Sequence, residues 1–162
     1  MFERISVKIS ETVEILKKLG YACEDVSPKE FYDYMTGETP TGDTITLEDI
    51  LQNEYLMVHE IVEISELKKK GIPITKQTIM SFYPKTTYEV HLTATEYELT
   101  HALNRKDYAW IKLRMAHAKN WLRDKNLPKE LLPRCKSLIK KIRKISSLMQ
   151  FLYSFNQTLK GL

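Results

Sequence analysis

From Leu131 to Leu159, nine residues recur at alternating spacings of four and three: Leu131, Cys135, Leu138, Ile142, Ile145, Met149, Leu152, Asn156 and Leu159. Only an α-helix places such a series on one side, and an apolar seam of that length needs a partner surface. The spacing therefore predicts a helix from Pro128 to Leu159, with only Asn156 breaking the apolar chemistry. Near its end Leu148, Phe151, Tyr153 and Phe155 add apolar groups around the rest of the circumference. A helix apolar on all sides belongs in a core. The other reading of this end is a homodimer contact.

The rest of the chain carries the same type of signal. Ser10 and Gly20 bracket a first helix, and Ser27-Pro28-Lys29-Glu30 has the form of a capping box with proline at the first helical position. That second helix closes at Gly37, and the run Gly37-Glu38-Thr39-Pro40-Thr41-Gly42-Asp43 reads as a loop. A long helix is expected from Thr46 to Lys70, where Gly71 and Pro73 stop it. Further helices are expected over Thr75–Phe82, Thr86–Asn104 and Asp107–Lys125. Ile5, Val7 and Ile9 alternate, but three residues do not make a strand. The fold expected is all-α, one domain of 162 residues forming a bundle of about six to seven helices with a long, heptad-patterned C-terminal helix.

Met1-Phe2-Glu3-Arg4-Ile5 places charges where a secretory signal needs an apolar run, and no stretch approaches the roughly 18 apolar residues of a membrane span. A cytoplasmic protein without a membrane partner is expected. Cys23 and Cys135 are too few and too far apart for a disulfide framework, so both are read as buried free thiols.

The net charge is +4, yet it is unevenly spread. Residues 1–104 hold 10 Lys/Arg against 18 Asp/Glu, while residues 105–162 hold 15 against 3. In the basic run Lys136, Lys140, Lys141, Arg143 and Lys144, the residues Lys136, Lys140 and Lys144 lie in a row on the face opposite the heptad seam, with Arg143 beside them. Lysines at i, i+4 and i+8 form a row suited to phosphates or to an acidic protein. No helix-turn-helix, zinc-finger or RNA-binding signature accompanies this row, and a solvated helix face has the same composition.

Two histidine and glutamate sets suggest a metal. His91, Glu98 and His101 share one side of a helix, because residues seven and three apart are neighbours at 100° per residue. Glu54, flanked by Ile50, Leu51, Met57, Val58 and Ile61, falls at the centre of an apolar arc, where an ionised carboxylate needs a cation, a hydrogen-bond donor or a raised pKa. Glu54, His91, Glu98 and His101 are thus the first candidate ligands for Zn, Mn or Fe. His59 and Glu63, four apart, form a second set, roughly 140° around the helix from Glu54. His117, among Trp110, Leu113, Arg114 and Trp121, reads as a packing residue.

His59-Glu60-Ile61-Val62-Glu63 departs from the zinc-protease pattern His-Glu-x-x-His at its last ligand. The His-Asp dipeptide of metal-dependent phosphohydrolases, glycine-rich phosphate loops and the Gly-x-Ser-x-Gly elbow are all missing from the sequence. The leading expectation is a carboxylate–histidine site serving metal-assisted hydrolysis or metal binding. The alternative is a noncatalytic module that binds nucleic acid or an acidic protein through the basic C-terminal helix.

Overall fold

The computed structural model describes residues 1–40 and 45–160, with side chains as far as Phe151. Eight α-helices run in the order α1 (Phe2–Lys18), α2 (Pro28–Met35), α3 (Leu47–Gln52), α4 (Glu54–Lys69), α5 (Thr78–Phe82), α6 (Lys85–Arg105), α7 (Tyr108–Trp121) and α8 (Leu132–Lys160). A 3-10 turn, Lys129–Leu131, leads into α8, and there is no strand among the described residues. The all-α architecture is that expected from the sequence, with a somewhat higher helix count. No described helix is long and apolar enough to cross a membrane.

Two compact units are present, Met1–His101 and Ala102–Leu162. In the first, α4 is the central element. Tyr55 through His59, Ile61 through Ser65 and Leu67 are all buried, so this helix is covered on almost every side. Ile5, Ile9 and Leu16 of α1 and Phe31 and Tyr34 of α2 complete its core. Several helix ends are closed locally. Ser27 accepts from the Glu30 amide at 3.2 Å, and Glu30 returns the bond by accepting from the Ser27 amide at 2.8 Å. Gly20 and Gly71, at φ +76° and +73°, occupy the left-handed position after α1 and α4.

The sequence reading is corrected at two helices. Helix α1 begins at Phe2 rather than Ser10, whose hydroxyl instead donates to the carbonyl of Ser6. The alternating Ile5, Val7 and Ile9 lie within it. The long helix expected from Thr46 is interrupted at Asn53, whose backbone is extended (φ −121°, ψ 114°). The Asn53 side chain accepts from the amides of Tyr55 and Leu56, capping a new helix. Thr41, Gly42 and Asp43 of the expected loop lie outside the described residues.

The second unit packs α7 with α8. Ile111, Met115 and Ala118 are buried on α7, and Cys135, Leu138, Ile139 and Ile142 on α8, so the seam is covered in its first part. Further on, Ile145 and Met149 are half-buried, while Leu148 and Phe151 are 56% and 66% exposed, against the expectation of a core there. The seam positions Leu152, Asn156 and Leu159, with Tyr153 and Phe155, lie outside the described side chains. The charge division follows the structural one: the first unit is acidic and the second basic. Both cysteines are free thiols, Cys135 buried and Cys23 half-buried. His117 is exposed on α7 and not packed.

Candidate metal centre

The break at Asn53 sets the rotational phase of α4, and with it the side to which His59 and Glu63 point. These two side chains lie one turn apart. Helix α6 supplies His91 and Glu98, two turns apart, and α2 supplies Tyr34. All five residues belong to the first unit.

Their polar atoms form one connected cluster. His59 Nε2 lies 3.1 Å from Glu63 Oε1 and 3.0 Å from His91 Nδ1, and His91 Nδ1 also contacts Glu63 Oε1. On the other edge of the same ring, His59 Nδ1 is 2.7 Å from Glu98 Oε2. The second oxygen of Glu63 accepts from the Tyr34 hydroxyl at 2.8 Å. The side chains of His59, Glu63 and Glu98 are 2%, 7% and 0% exposed, whereas that of His91 is 30% exposed. Among the described residues, His59, Glu63 and His91 are the only trio of His, Cys, Asp or Glu ligand atoms all within 4.8 Å of one another.

Hydrogen-bond chemistry shows what this cluster can hold. With Glu98 at Nδ1, a neutral His59 keeps its proton there and turns a lone pair out at Nε2. That lone pair meets a carboxylate oxygen and a second imidazole nitrogen. With the His91 proton on Nδ1 the cluster closes as a hydrogen-bonded network; with that proton on the far nitrogen, three acceptors converge in a buried space and need a proton or a metal cation between them. The electrostatics agree. Burial pushes the His59 imidazolium down, but its hydrogen bonds to Glu63 and Glu98 and the charges of both carboxylates outweigh burial and raise it to about 10. Burial likewise pushes Glu63 up, and is outweighed by the charge on His91 and the hydrogen bonds from His59 and His91, which hold it below the usual carboxylate range. The site favours positive charge at the point where the three atoms meet.

The spacing also suits a metal. Two nitrogens and one oxygen around a tetrahedral zinc stand roughly 3.3 Å apart, given metal–ligand bonds of about 2.0–2.1 Å. The distances of 3.0 and 3.1 Å need to open only slightly, whereas the closer contact between His91 Nδ1 and Glu63 Oε1 must open further.

The structure regroups the candidate ligands. His91 and Glu98 join His59 and Glu63, the pair read as a separate set. Glu54 pairs with His101 instead, at 3.2 Å between Oε2 and Nε2, with the Tyr55 ring 5.5 Å from the His101 ring. Glu54 is also not buried: its side chain is 41% exposed. It sits in the first turn of α4, and the extended backbone at Asn53 removes Ile50 and Leu51 from the apolar arc assumed around it. Tyr34 is the participant that sequence reasoning missed. Three residues after Phe31, it has the spacing of an ordinary core aromatic, and nothing local marks its hydroxyl as a carboxylate partner.

Lys136, Lys140, Lys141, Arg143 and Lys144 are all exposed on α8, in the second unit. Compared with protein-family models, curated proteins and solved structures, the chain matches none.

Proposed function

We propose that this protein binds a divalent transition metal through His59 Nε2, Glu63 Oε1 and His91 Nδ1, with Glu98 holding the His59 ring. The observation supporting this reading is the convergence of those three atoms in a buried space, with a carboxylate on the far nitrogen of His59. Metal-ligating histidines characteristically donate their second N–H to a carboxylate, which fixes the tautomer and strengthens the ligating nitrogen. Two imidazoles and one carboxylate suit zinc or iron(II) better than magnesium or calcium, which prefer all-oxygen sites; manganese is the intermediate case. A metal there supplies Lewis acidity, the basis for a hydrolytic role.

Protein purified without chelator and analysed for metal content should contain one zinc, iron or manganese per chain. Metal-stripped protein should recover one equivalent on dialysis against zinc, and His91→Ala should lose it. If the stripped protein retains no stoichiometric metal after exposure to each of the three ions, the reading is wrong.

The exposure of all five basic residues of the α8 run favours a second reading, in which the basic unit binds nucleic acid. Binding of a labelled oligonucleotide should then weaken steeply with salt. Lys140→Glu with Lys144→Glu should reduce both the affinity and the salt slope. Unchanged binding by the double variant would dismiss this surface, and binding to an acidic protein alone would replace nucleic acid as the partner.

A further inference from the structure

Resting on the metal reading, we propose that the bound metal keeps an exchangeable coordination position, filled by water and open to small anions from the side of His91.

Two of the three remaining carboxylate oxygens of Glu63 and Glu98 are committed elsewhere. Glu98 Oε2 faces Nδ1 of His59, at the opposite edge of the ring from Nε2. A metal on Nε2 has the width of the imidazole between itself and this carboxylate, so Glu98 orients a ligand and does not serve as one. Glu63 offers a single oxygen, because its Oε2 accepts from Tyr34 at 2.8 Å while Oε1 faces the two histidines. Tyr34 is itself buried and fixed in α2, so the carboxylate is held in a one-oxygen mode. No fourth His, Cys, Asp or Glu among the described residues joins the group.

Three protein ligands do not satisfy zinc, iron(II) or manganese. Structural zinc sites close with four protein ligands, whereas sites that react keep three and a water. The exposure of the cluster runs in one direction. His59 and Glu98 are sealed, Glu63 nearly so, and the His91 ring alone reaches solvent to a substantial degree, at 30%. A small ligand therefore approaches past His91. Its chemistry is set by the metal's open Lewis-acid position: two neutral imidazoles and one carboxylate leave +1 on the ion within its own ligand set, and the Glu98 carboxylate, an imidazole's width away, offsets that charge only from a distance, so a small anion can still bind the ion directly.

Cobalt(II) loaded in place of the native metal, with azide as the probe, tests this on the full chain. One equivalent of cobalt should give visible absorption bands displaced by zinc. Azide should then shift those bands saturably, and water-proton relaxation with manganese(II) should report a rapidly exchanging bound water. Tyr34→Phe frees Oε2 to take the open position, so this variant should still bind cobalt but require several-fold more azide for the same shift. Cobalt bands that stay unmoved at saturating azide, together with no exchanging water, would overturn the open position while leaving metal binding intact. Failure of cobalt, zinc and manganese all to bind would overturn both.

Discussion

Glu98 and His59 meet across the α4–α6 contact at 2.7 Å between Oε2 and Nδ1, and both side chains are withdrawn from solvent. A carboxylate so placed acts on the opposite nitrogen of the ring. Glu98→Gln preserves the size and an acceptor oxygen but removes the charge that strengthens Nε2. Zinc affinity, measured by competition with a chromogenic chelator, should fall about 10–100-fold, the usual effect of losing such an orienting partner. Unaltered affinity would show that Glu98 merely fills space.

Metal should also stabilise the fold. Ligand that binds only the folded state raises stability by about 2.7 kcal/mol at a free concentration one hundred times its dissociation constant. Thermal unfolding with and without zinc should show that increment, and excess chelator should reverse it. Because the same nitrogens hold protons in the metal-free protein, zinc binding should release protons, visible as a dependence of the calorimetric heat on the buffer used. A heat independent of buffer would contradict ligation by the protonated histidine.

Tyr34→Phe removes one hydrogen bond while keeping the packed ring. The buried Oε2 of Glu63 loses the donor at 2.8 Å. Stability of the metal-free protein should fall by about 1–3 kcal/mol, the cost of depriving a buried polar group of its partner. Chemical denaturation at neutral pH gives the number, and a loss near zero would mean that solvent replaces the tyrosine.

Acid should weaken the junction between α2 and α4 through Glu30. Partial burial pushes this carboxyl up, but the hydrogen bonds from Lys68 and Ser27 outweigh it and hold the group below its ordinary range. A lowered folded pKa means that the unfolded chain binds the proton more readily, so the contribution is complete above the unfolded carboxylate pKa and disappears as pH falls through the folded one. Glu30→Gln retains capping geometry without the charge. The urea midpoint of the variant should fall less steeply between about pH 5 and about pH 2 than that of the parent. Identical slopes would exclude Glu30 from the acid response.

Gly37 lies where the α2 exit touches the segment before α5. Any Cβ added there would overlap the carbonyl of Lys76, a backbone group that cannot rotate away, and the neighbouring Glu38 amide donates to that same carbonyl at 3.1 Å. Gly37→Ala should cost about 1–3 kcal/mol, as overpacking does. A neutral result in thermal unfolding would indicate that this segment yields freely.

The ingredients of the site were legible in the sequence where they share a helix, and illegible where helices meet. His59 and Glu63 are four apart, and His91 and Glu98 seven apart, so each pair can be seen on one face without a structure. Which pair faces which depends on how α4 and α6 are rotated, and the linear pattern carries no such angle. Glu54 was misplaced because apolar residues on both sides of Asn53 fit one helical wheel, although a side-chain cap was present to restart the helix. The all-α fold was easier to read, since caps such as Ser27 with Glu30 and stops such as Gly71 are local. The exposed Leu148 and Phe151 show the limit of periodicity: it states which residues align, but not how far a partner helix extends along them.

The interruption at Asn53 also insulates the phase of α4. In a continuous helix, one residue inserted among positions 47–52 would turn everything beyond it by about 100° and carry His59 and Glu63 away from α6. With an extended residue intervening and a fresh cap holding Tyr55 and Leu56, the rotation stops before α4. The length of α3 can change while the ligands keep their aim.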